Sequence, residues 1–219
     1  AERGSRLSMA KIIHLTVRHP DALPRYVAAV THAARRLMPD NLPDQEPLIF
    51  QGSGIVTGIA GPPDFVHARG SNIAAGYLVE PDSDWDRTGG GRPDGAYALF
   101  RSDPDVVEIV SDSVASRSVW YALTDDIFIA STSQRAIVAI LGSFAFDPSV
   151  MTWMLTTGTL GPGKAWDRRI RRLDGDATVA LNRNTWSLSS RTAPLQFDPL
   201  DLPEAEQERR IMDVLGRAV

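Results

Sequence analysis

Alternating apolar and polar residues predict strands in the first part of the chain, with one helix after the first strand. Residues 11–17 (KIIHLTV) are mostly β-branched and apolar, as is typical of a buried strand. Residues 21–38 have helical spacing, and Asp21 is the expected N-cap of this helix. Three more strands are predicted at 48–51, 54–60 and 73–80.

The strongest strand pattern lies between residues 95 and 131. Short turns rich in Asp and Ser separate four apolar segments there: AYALFR, VVEIVS, SVWYAL and DIFIAS. The polar residues 112–117 (DSVASR) are interpreted as the hairpin connection between the second and the third segment. Because short turns join antiparallel neighbours, the pattern predicts an antiparallel meander.

Helical spacing returns after this run of strands. Residues 131–142 and 147–158 both show it, and both segments end at a glycine. Ser131 or Thr132 is expected to cap the first of these helices. Two consecutive helices are therefore predicted directly after the last strand of the meander.

The last predicted elements are a hairpin and a helix, and together with the earlier elements they indicate the fold class. Residues 177–181 and 185–190 predict a hairpin, and residues 203–219 predict a final helix. The apolar residues Ile211, Met212 and Leu215 of that helix require a partner surface. Antiparallel strands with helices grouped at intervals predict an α+β sandwich and disfavour a parallel βαβ sheet.

The amino-acid composition excludes several classes of protein for this chain. The chain has 219 residues, a formal net charge of −4 and no cysteine. It therefore forms no disulfide, no zinc–thiolate site and no cysteine nucleophile. The mild acidity disfavours nucleic-acid binding, no apolar run approaches the ~20 residues of a membrane span, and no signal peptide is visible. A cytoplasmic location is expected, with neither nucleic acid nor a membrane as a partner.

Several short motifs resemble binding sites, but the residues or secondary structure that these sites require are absent. Residues 158–165 (GTLGPGKA) approach a phosphate loop, but Ala165 replaces the hydroxyl residue and a predicted helix precedes the motif. Residues 88–95 (TGGGRPDG) could cradle an anion with backbone amides, although a flexible turn is the simpler interpretation. The histidines lack metal-binding spacing, and His14 is interpreted as a structural residue of the first strand. No metal site is predicted.

The order of segments over residues 94–141 resembles the asparagine synthetase family. That family's run is Asp-Gly, a strand, Asp-x-x-Gly-x-(Arg/Lys)-Pro-Leu-Tyr-Tyr, a strand reading Phe-Ala-Ser-Glu, and a helix. The matching positions here are Asp94, Gly95, Asp112, Arg117, Trp120, Tyr121, Ala130 and Ser131. A structural role is expected for these residues, because Asp112 and Arg117 would order the connection between strands and the aromatic pair would begin the returning strand.

The resemblance is to the amino-terminal, glutaminase-like domain of that family. It implies an N-terminal-nucleophile hydrolase fold, which is a four-layer αββα sandwich of two mainly antiparallel sheets. Residues 9–191 would form this domain, 192–202 a linker, and 203–219 the first helix of a following ATP-dependent synthetase domain. Residues 1–8 are expected to be a vector-derived leader.

The residues that a glutaminase needs are missing. The family's glutaminases begin with a Cys whose thiolate attacks the glutamine amide while its α-amine acts as base, whereas Ala10 follows Met9 here. Ala75, Gly76 and Tyr77 occupy the place of the Asn-Gly-Glu that helps bind glutamine. An engineered Cys-to-Ala change at Ala10 would not explain this second loss. No catalytic residue is therefore assigned.

Two functions remain open from the sequence. In the first, the chain is the glutaminase-inactive domain of an ATP-dependent, amide-forming ligase, in which ammonia or a substrate amine displaces AMP from an adenylated carboxylate. ATP and magnesium would bind the synthetase domain, the partners would be that domain and a small-molecule or peptide substrate, and a homodimer is a further option. In the second, the chain is a non-catalytic scaffold or peptide-docking module that kept the fold only.

Overall fold

β-Strands make up most of the regular structure in the computed structural model, which describes residues 10–38, 45–193, 199 and 201–218. The strands are β1 Lys11–Val17, β2 Leu48–Gly52, β3 Ile55–Ala60, β4 Val66–Arg69, β5 Asn72–Leu78, β6 Gly95–Ser102, β7 Val106–Ser111, β8 Trp120–Leu123, β9 Ile127–Ser131, β10 Arg171–Arg172, β11 Ala177–Asn182 and β12 Ser187–Thr192. The helices are α1 Leu23–Arg35, α2 Gln134–Leu141, α3 Ser149–Thr157 and α4 Glu204–Ala218.

The strands form two six-stranded sheets. Sheet 1 has the order β10-β8-β9-β1-β3-β2, and sheet 2 has the order β12-β11-β7-β6-β5-β4. Every pair of neighbouring strands is antiparallel. The predicted α+β sandwich of two antiparallel sheets is confirmed.

Strand β1 is central to sheet 1 and apolar on both faces. Because successive side chains of a strand point to opposite faces, Ile12 joins the cluster between the two sheets, while Ile13 and Leu15 join the cluster beneath the helices. Sheet 2 contributes Phe100 and Ile109 to the cluster between the sheets. Sheet 1 thus has one apolar cluster on each of its faces, which explains why most residues of the first strand are apolar.

Helices α1 and α2 cover the outer face of sheet 1 and contact each other. Val30, Ala33 and Ala34 of α1 are buried, as are Ala136 and Ile137 of α2. The opposite face of α1 carries Arg25, His32 and Arg35, so α1 is amphipathic, whereas α2 has polar residues only in its first turn.

The outer face of sheet 2 is covered differently. Irregular chain between β5 and β6 lies against it, and Trp85 from this segment packs with Tyr97 and Leu99 of β6. This segment is rich in Gly, Pro and Asp, which disfavour helix formation. In the described residues, this side of the sandwich therefore carries irregular chain where the four-layer arrangement has helices.

The expected single meander is wrong at one connection. β7 belongs to sheet 2 and β8 to sheet 1, so residues 112–119 cross from one sheet to the other. β7 already has β6 and β11 as neighbours and offers no free edge, whereas β8 pairs with β9, which lies beside β1. The polar stretch is a crossing between sheets and not a hairpin.

The helix predicted at 131–142 begins later, at Gln134. Ser131 is the last residue of β9; its hydroxyl donates to the Ile12 carbonyl at 2.6 Å and accepts the Ser133 amide at 3.0 Å. These bonds hold Ser131 in the strand, so it does not cap the helix. Gly142 ends α2 in the left-handed conformation, as expected.

Helix α4 occupies the region where a final helix is predicted. Its side chains of Ile211, Met212 and Leu215 are 59%, 63% and 54% exposed. The leader predicted at 1–8 and much of the linker predicted at 192–202 lie outside the described residues.

Candidate functional site

The start of β1 is where the family resemblance would place a nucleophile. Ala10 stands there, is 3% exposed, and belongs to the apolar cluster between the sheets. The Cα of Ala10 lies only 3.5 Å from the position that a Cβ on Gly61 would take. The position is therefore closely packed and carries a methyl group, which has no chemistry to offer an amide.

Two hydroxyl residues lie beside this strand end. Thr132 accepts the Ile12 amide at 2.9 Å, and Ser131 donates to the Ile12 carbonyl at 2.6 Å. Both hydroxyls therefore tie the end of β9 to β1. Neither is arranged as a nucleophile next to a general base.

His14 lies further along the same face of β1 and is fully buried. Its Nδ1 is 2.8 Å from the Thr57 hydroxyl, its ring is 5.7 Å from that of Phe100 in sheet 2, and its Nε2 has no hydrogen-bond partner. Burial lowers the pKa of His14 to about 4, so the ring is neutral at pH 7. The imidazole contacts both sheets and is enclosed by the core.

Asp112 organises the crossing that follows β7. Its carboxylate accepts the backbone amides of Tyr97 at 3.0 Å, Val114 at 3.0 Å and Ser116 at 3.1 Å, and also the Ser116 hydroxyl at 3.0 Å. Its own carbonyl accepts the Asp176 amide at 2.8 Å. Asp112 is 2% exposed, so its oxygens are occupied by the protein itself and are closed to a ligand.

The other motif positions fall into two places. In sheet 1, Trp120 is the register partner of Ser131 and Tyr121 of Ala130, so the β8–β9 pair brings these four residues together. Arg117 lies in the crossing and is 7% exposed, and burial lowers its pKa.

Asp94 and Gly95 lie in sheet 2, at the start of β6. There Gly76 and Gly95 face the neighbouring strand so closely that a Cβ on either would lie 2.1 Å from the Ala96 carbonyl oxygen or 2.2 Å from that of Tyr77. Both have positive φ, of 140° and 150°. Gly95 therefore permits a close approach of β5 and β6. Gly76, which takes the place of the glycine in the family's Asn-Gly-Glu, lies in the same close contact.

Sequence reasoning missed a buried arginine under the glycine-rich segment. Arg101 is 1% exposed; it donates to the Glu108 carboxylate at 2.8 Å and to the carbonyls of Trp85, Gly90 and Gly91 at 3.1 to 3.3 Å. The sequence pattern that indicates this ion pair is the presence of one arginine and one glutamate within two otherwise apolar strand segments, AYALFR and VVEIVS. The Gly90 and Gly91 carbonyls face this cation and the Gly89 amide donates to the Glu108 carboxylate, so the segment is held as a cover for sheet 2 by the chain's own ion pair.

An apolar groove between α1 and α2 was also missed. It has a volume of about 510 Å³, and its walls include Ala33, Leu37, Ala136, Val138, Phe144 and Trp166. We call this cavity the α1–α2 groove. Phe144 is 56% exposed and Trp166 37%, and because both line this groove they form part of one exposed apolar patch. The loops that bear these aromatics lie far apart in sequence, so no local pattern indicates the groove.

A buried carboxylate fixes the aromatic wall of this groove. Asp167 is fully buried; it accepts the Ala145 amide at 2.9 Å and two side-chain bonds from Arg169, at 2.9 and 2.6 Å. The Arg169 bonds, with help from the backbone amides, lower the pKa of Asp167 to about 2. Arg169 also donates to the Ser143 carbonyl at 2.7 Å, so the Asp167–Arg169 ion pair of the Trp166 loop is hydrogen-bonded to Ser143 and Ala145 on either side of Phe144.

Two kinds of site are not found in the described residues. No group of three or more His, Asp or Glu side chains in that part of the chain is arranged to hold a metal ion. Nor does any helix there have the length and apolar character that crossing a membrane requires.

Comparison with known proteins gives fold-level similarity alone. No protein-family model matches the chain, and no curated protein is significantly similar to it. Among solved structures, it is similar to glutamine phosphoribosylpyrophosphate amidotransferase from B. subtilis complexed with ADP and GMP, with a TM-score of 0.45 and 10% identity over 86% of this chain and 50% of that one. A structure of the allosteric regulatory enzyme of purine biosynthesis is similar with a TM-score of 0.46 and 10% identity over 85% and 50%. The chain thus spans about half the length of each of these two proteins.

Proposed function

We propose that this chain is the amino-terminal, glutaminase-like domain of an ATP-dependent, amide-forming ligase, and that it does not itself hydrolyse glutamine. The observation that supports the second part is the buried methyl group of Ala10 at the start of β1. Hydrolysis by an amino-terminal residue requires a thiolate or hydroxyl that attacks the carboxamide, with the α-amine as base. Alanine has no attacking atom in its side chain, and its nitrogen is a free amine only if residues 1–9 are removed.

The surroundings of Ala10 support the same conclusion. The hydroxyls of Ser131 and Thr132 are already bonded to the backbone of Ile12. On the other sheet, Gly76 lies against the next strand, and neighbouring Tyr77 is 53% exposed in place of a glutamine-binding carboxylate. Within the described part of the chain, a nucleophile added at residue 10 would therefore find no carboxylate at this place to bind glutamine.

The ligase part of the proposal rests on the resemblance to the asparagine synthetase family. Without ammonia from glutamine, the nitrogen donor would be free ammonia or an amine of the substrate, which would displace AMP from an adenylated carboxylate. ATP and magnesium would act in a synthetase domain that follows this one. The sandwich described above would then be the structural base of that domain.

The glutaminase test is ammonia release from glutamine by the purified chain. We expect no release above the buffer background. We also expect none from an Ala10→Cys variant from which residues 1–9 are removed, so that the introduced thiol stands beside a free α-amine. Ammonia release that follows the protein peak in either sample would contradict the proposal. Correct folding of the variant is checked by its circular dichroism and its unfolding midpoint.

The ligase part is tested separately, by reading the gene downstream of Val219. A coding region for a strand followed by Ser-Gly-Gly-x-Asp-Ser is expected. A stop codon or an unrelated domain at that place would contradict the ligase and leave the second candidate, a scaffold or peptide-docking module. The open α1–α2 groove with its exposed Phe144 and Trp166 is the observation that favours this second candidate.

A further inference from the structure

The α1–α2 groove has an apolar floor and a basic rim. Its floor and walls are alanine, leucine, valine and aromatic side chains, and Arg36 and Arg135 stand among its lining residues. Among the described residues, neither arginine forms an ion pair. An apolar groove between two helices is the usual receptor for the apolar face of a third helix. The two arginines indicate that such a helix should carry acidic residues beside its apolar stripe.

Helix α4 has this composition. Glu204, Glu208, Ile211, Met212 and Leu215 are spaced by three, four or one residues and so share one face of the helix. A shallow cavity along α4 is lined by Glu204, Glu208, Ile211 and Met212, which confirms that the acidic and apolar residues adjoin.

The other side of α4 carries two arginines that share one carboxylate. Arg209 and Arg210 both pair with Glu206, at 2.7 and 3.3 Å. Glu204 and Glu208 form no ion pair within the described residues. The charges that lie next to the apolar stripe of α4, on Glu204 and Glu208, are therefore negative, whereas those of the groove, on Arg36 and Arg135, are positive.

We propose that α4 of one copy of this chain binds in the α1–α2 groove of a second copy, with the exchange made in both directions. Within one chain the structure leaves both surfaces open, since Ile211, Met212 and Leu215 are all more than half exposed and Phe144 is 56% exposed. A helix of 15 residues is only marginally stable alone in water, so burial of its stripe favours association. A reciprocal exchange closes as a two-fold dimer and leaves neither groove empty.

This inference goes beyond the proposed function and does not depend on its glutaminase part, but it places α4 in a dimer contact and not in the following synthetase domain. The groove lies on the outer, helical side of sheet 1, whereas Ala10 lies between the sheets. A glutaminase result of either kind leaves the dimer untouched, and a monomeric chain leaves the glutaminase conclusion untouched.

Charge reversal combined with mass measurement is the first test. The chain should sediment with twice the 23.9 kDa of one copy. Reversal of the groove (Arg36→Glu with Arg135→Glu) or of the helix (Glu204→Arg with Glu208→Arg) should weaken dimerisation by at least about tenfold. An equal mixture of the two variants should restore it, because both contacts of the mixed dimer then join opposite charges.

A matched control reverses two exposed arginines elsewhere, Arg87→Glu with Arg191→Glu, and should leave the dimer unchanged. A wild-type chain that remains monomeric at tens of micromolar would overturn the proposal. So would a dimer that survives both reversals with unchanged affinity, since the contact would then lie elsewhere.

Disulfide trapping distinguishes a second copy from the chain's own helix. The chain has no cysteine, so introduced cysteines have no competing partner. One copy carries Ala139→Cys in the groove and the other carries Met212→Cys in α4, and the mixture is oxidised. A covalent dimer that forms only in the mixture is expected. If no heterodimer forms, while a chain carrying both cysteines closes on itself as a monomer, α4 binds its own groove and the proposal is wrong.

Discussion

Arg101 and Glu108 form an ion pair of 2.8 Å between neighbouring strands of sheet 2, under the irregular segment that covers this sheet. Arg101 is 1% exposed, and its remaining donors reach the carbonyls of Trp85, Gly90 and Gly91. The second partner of Glu108 is the Gly89 amide at 3.0 Å. One pair of charges therefore fastens a glycine-rich segment to a sheet that would otherwise expose an apolar face.

The first prediction concerns this pair. Arg101→Met should lower the free energy of unfolding by about 3–5 kcal/mol, because it leaves a buried carboxylate and three backbone carbonyls without their donor. The double variant Arg101→Met with Glu108→Leu should recover part of this loss, since no uncompensated charge remains. Urea unfolding measures both values. A loss below about 1 kcal/mol for Arg101→Met would show that water replaces the guanidinium and that the pair is not structural.

The second prediction concerns His14 and pH. The pKa of His14 is about 4 in the folded chain, against an ordinary value of 6.5, so the unfolded chain binds the proton first as the pH falls. The contribution of neutral His14 to the free energy of unfolding is constant above about pH 6.5 and is lost as the pH falls from about 6.5 to 4. At about pH 5 the free energy of unfolding is lower by about 2 kcal/mol. Comparison of wild type with His14→Gln in urea at about pH 7 and pH 5 isolates this histidine. His19→Gln, at an exposed position, is the control and should keep the wild-type pH dependence.

The third prediction concerns the close approach of β5 and β6. Gly95→Ala would place a Cβ 2.2 Å from the Tyr77 carbonyl oxygen, which requires the two strands to separate. The expected loss is more than about 2 kcal/mol, or failure to fold. Gly70→Ala is the matched control, because Gly70 also has positive φ but has no atom within 4 Å of the added Cβ. It should cost about 1 kcal/mol, and equal losses at the two positions would contradict the steric argument.

The fourth prediction concerns the Asp112 carboxylate. Asp112→Asn replaces an oxygen acceptor by an amide donor opposite backbone N–H groups, so at least one of the bonds to Tyr97, Val114 and Ser116 is lost. We expect a loss of about 2 kcal/mol. Asp125→Asn, at an exposed turn, should change stability by less than about 0.5 kcal/mol. A similar loss in the free energy of unfolding for both variants would mean that the Asp112 side chain does not stabilise the crossing.

The elements of this chain are largely a property of its local sequence. β-Branched alternation is enough to place β1 at Lys11–Val17, and the glycines after α2 and α3 end these helices where the pattern predicts. The error at Ser131 has a tertiary cause, because its hydroxyl donates to the carbonyl of Ile12 in β1, which is distant in sequence, and this bond keeps Ser131 in the strand. The missing nucleophile is equally a sequence property, since no fold can turn Ala10 into one.

The partition of strands between the two sheets required the tertiary structure. β7 and β8 follow one another in the chain, but pairing depends on which strand edges are still free, and that is set by β11 and β1, from distant parts of the sequence. The same holds for the Arg101 cover and for the α1–α2 groove, whose residues come from separate segments. The periodicity of the sequence predicts which face of a helix or strand a residue occupies. Which residue packs against that face depends on contacts between distant parts of the chain. The candidate binding surface is therefore visible only in the folded structure.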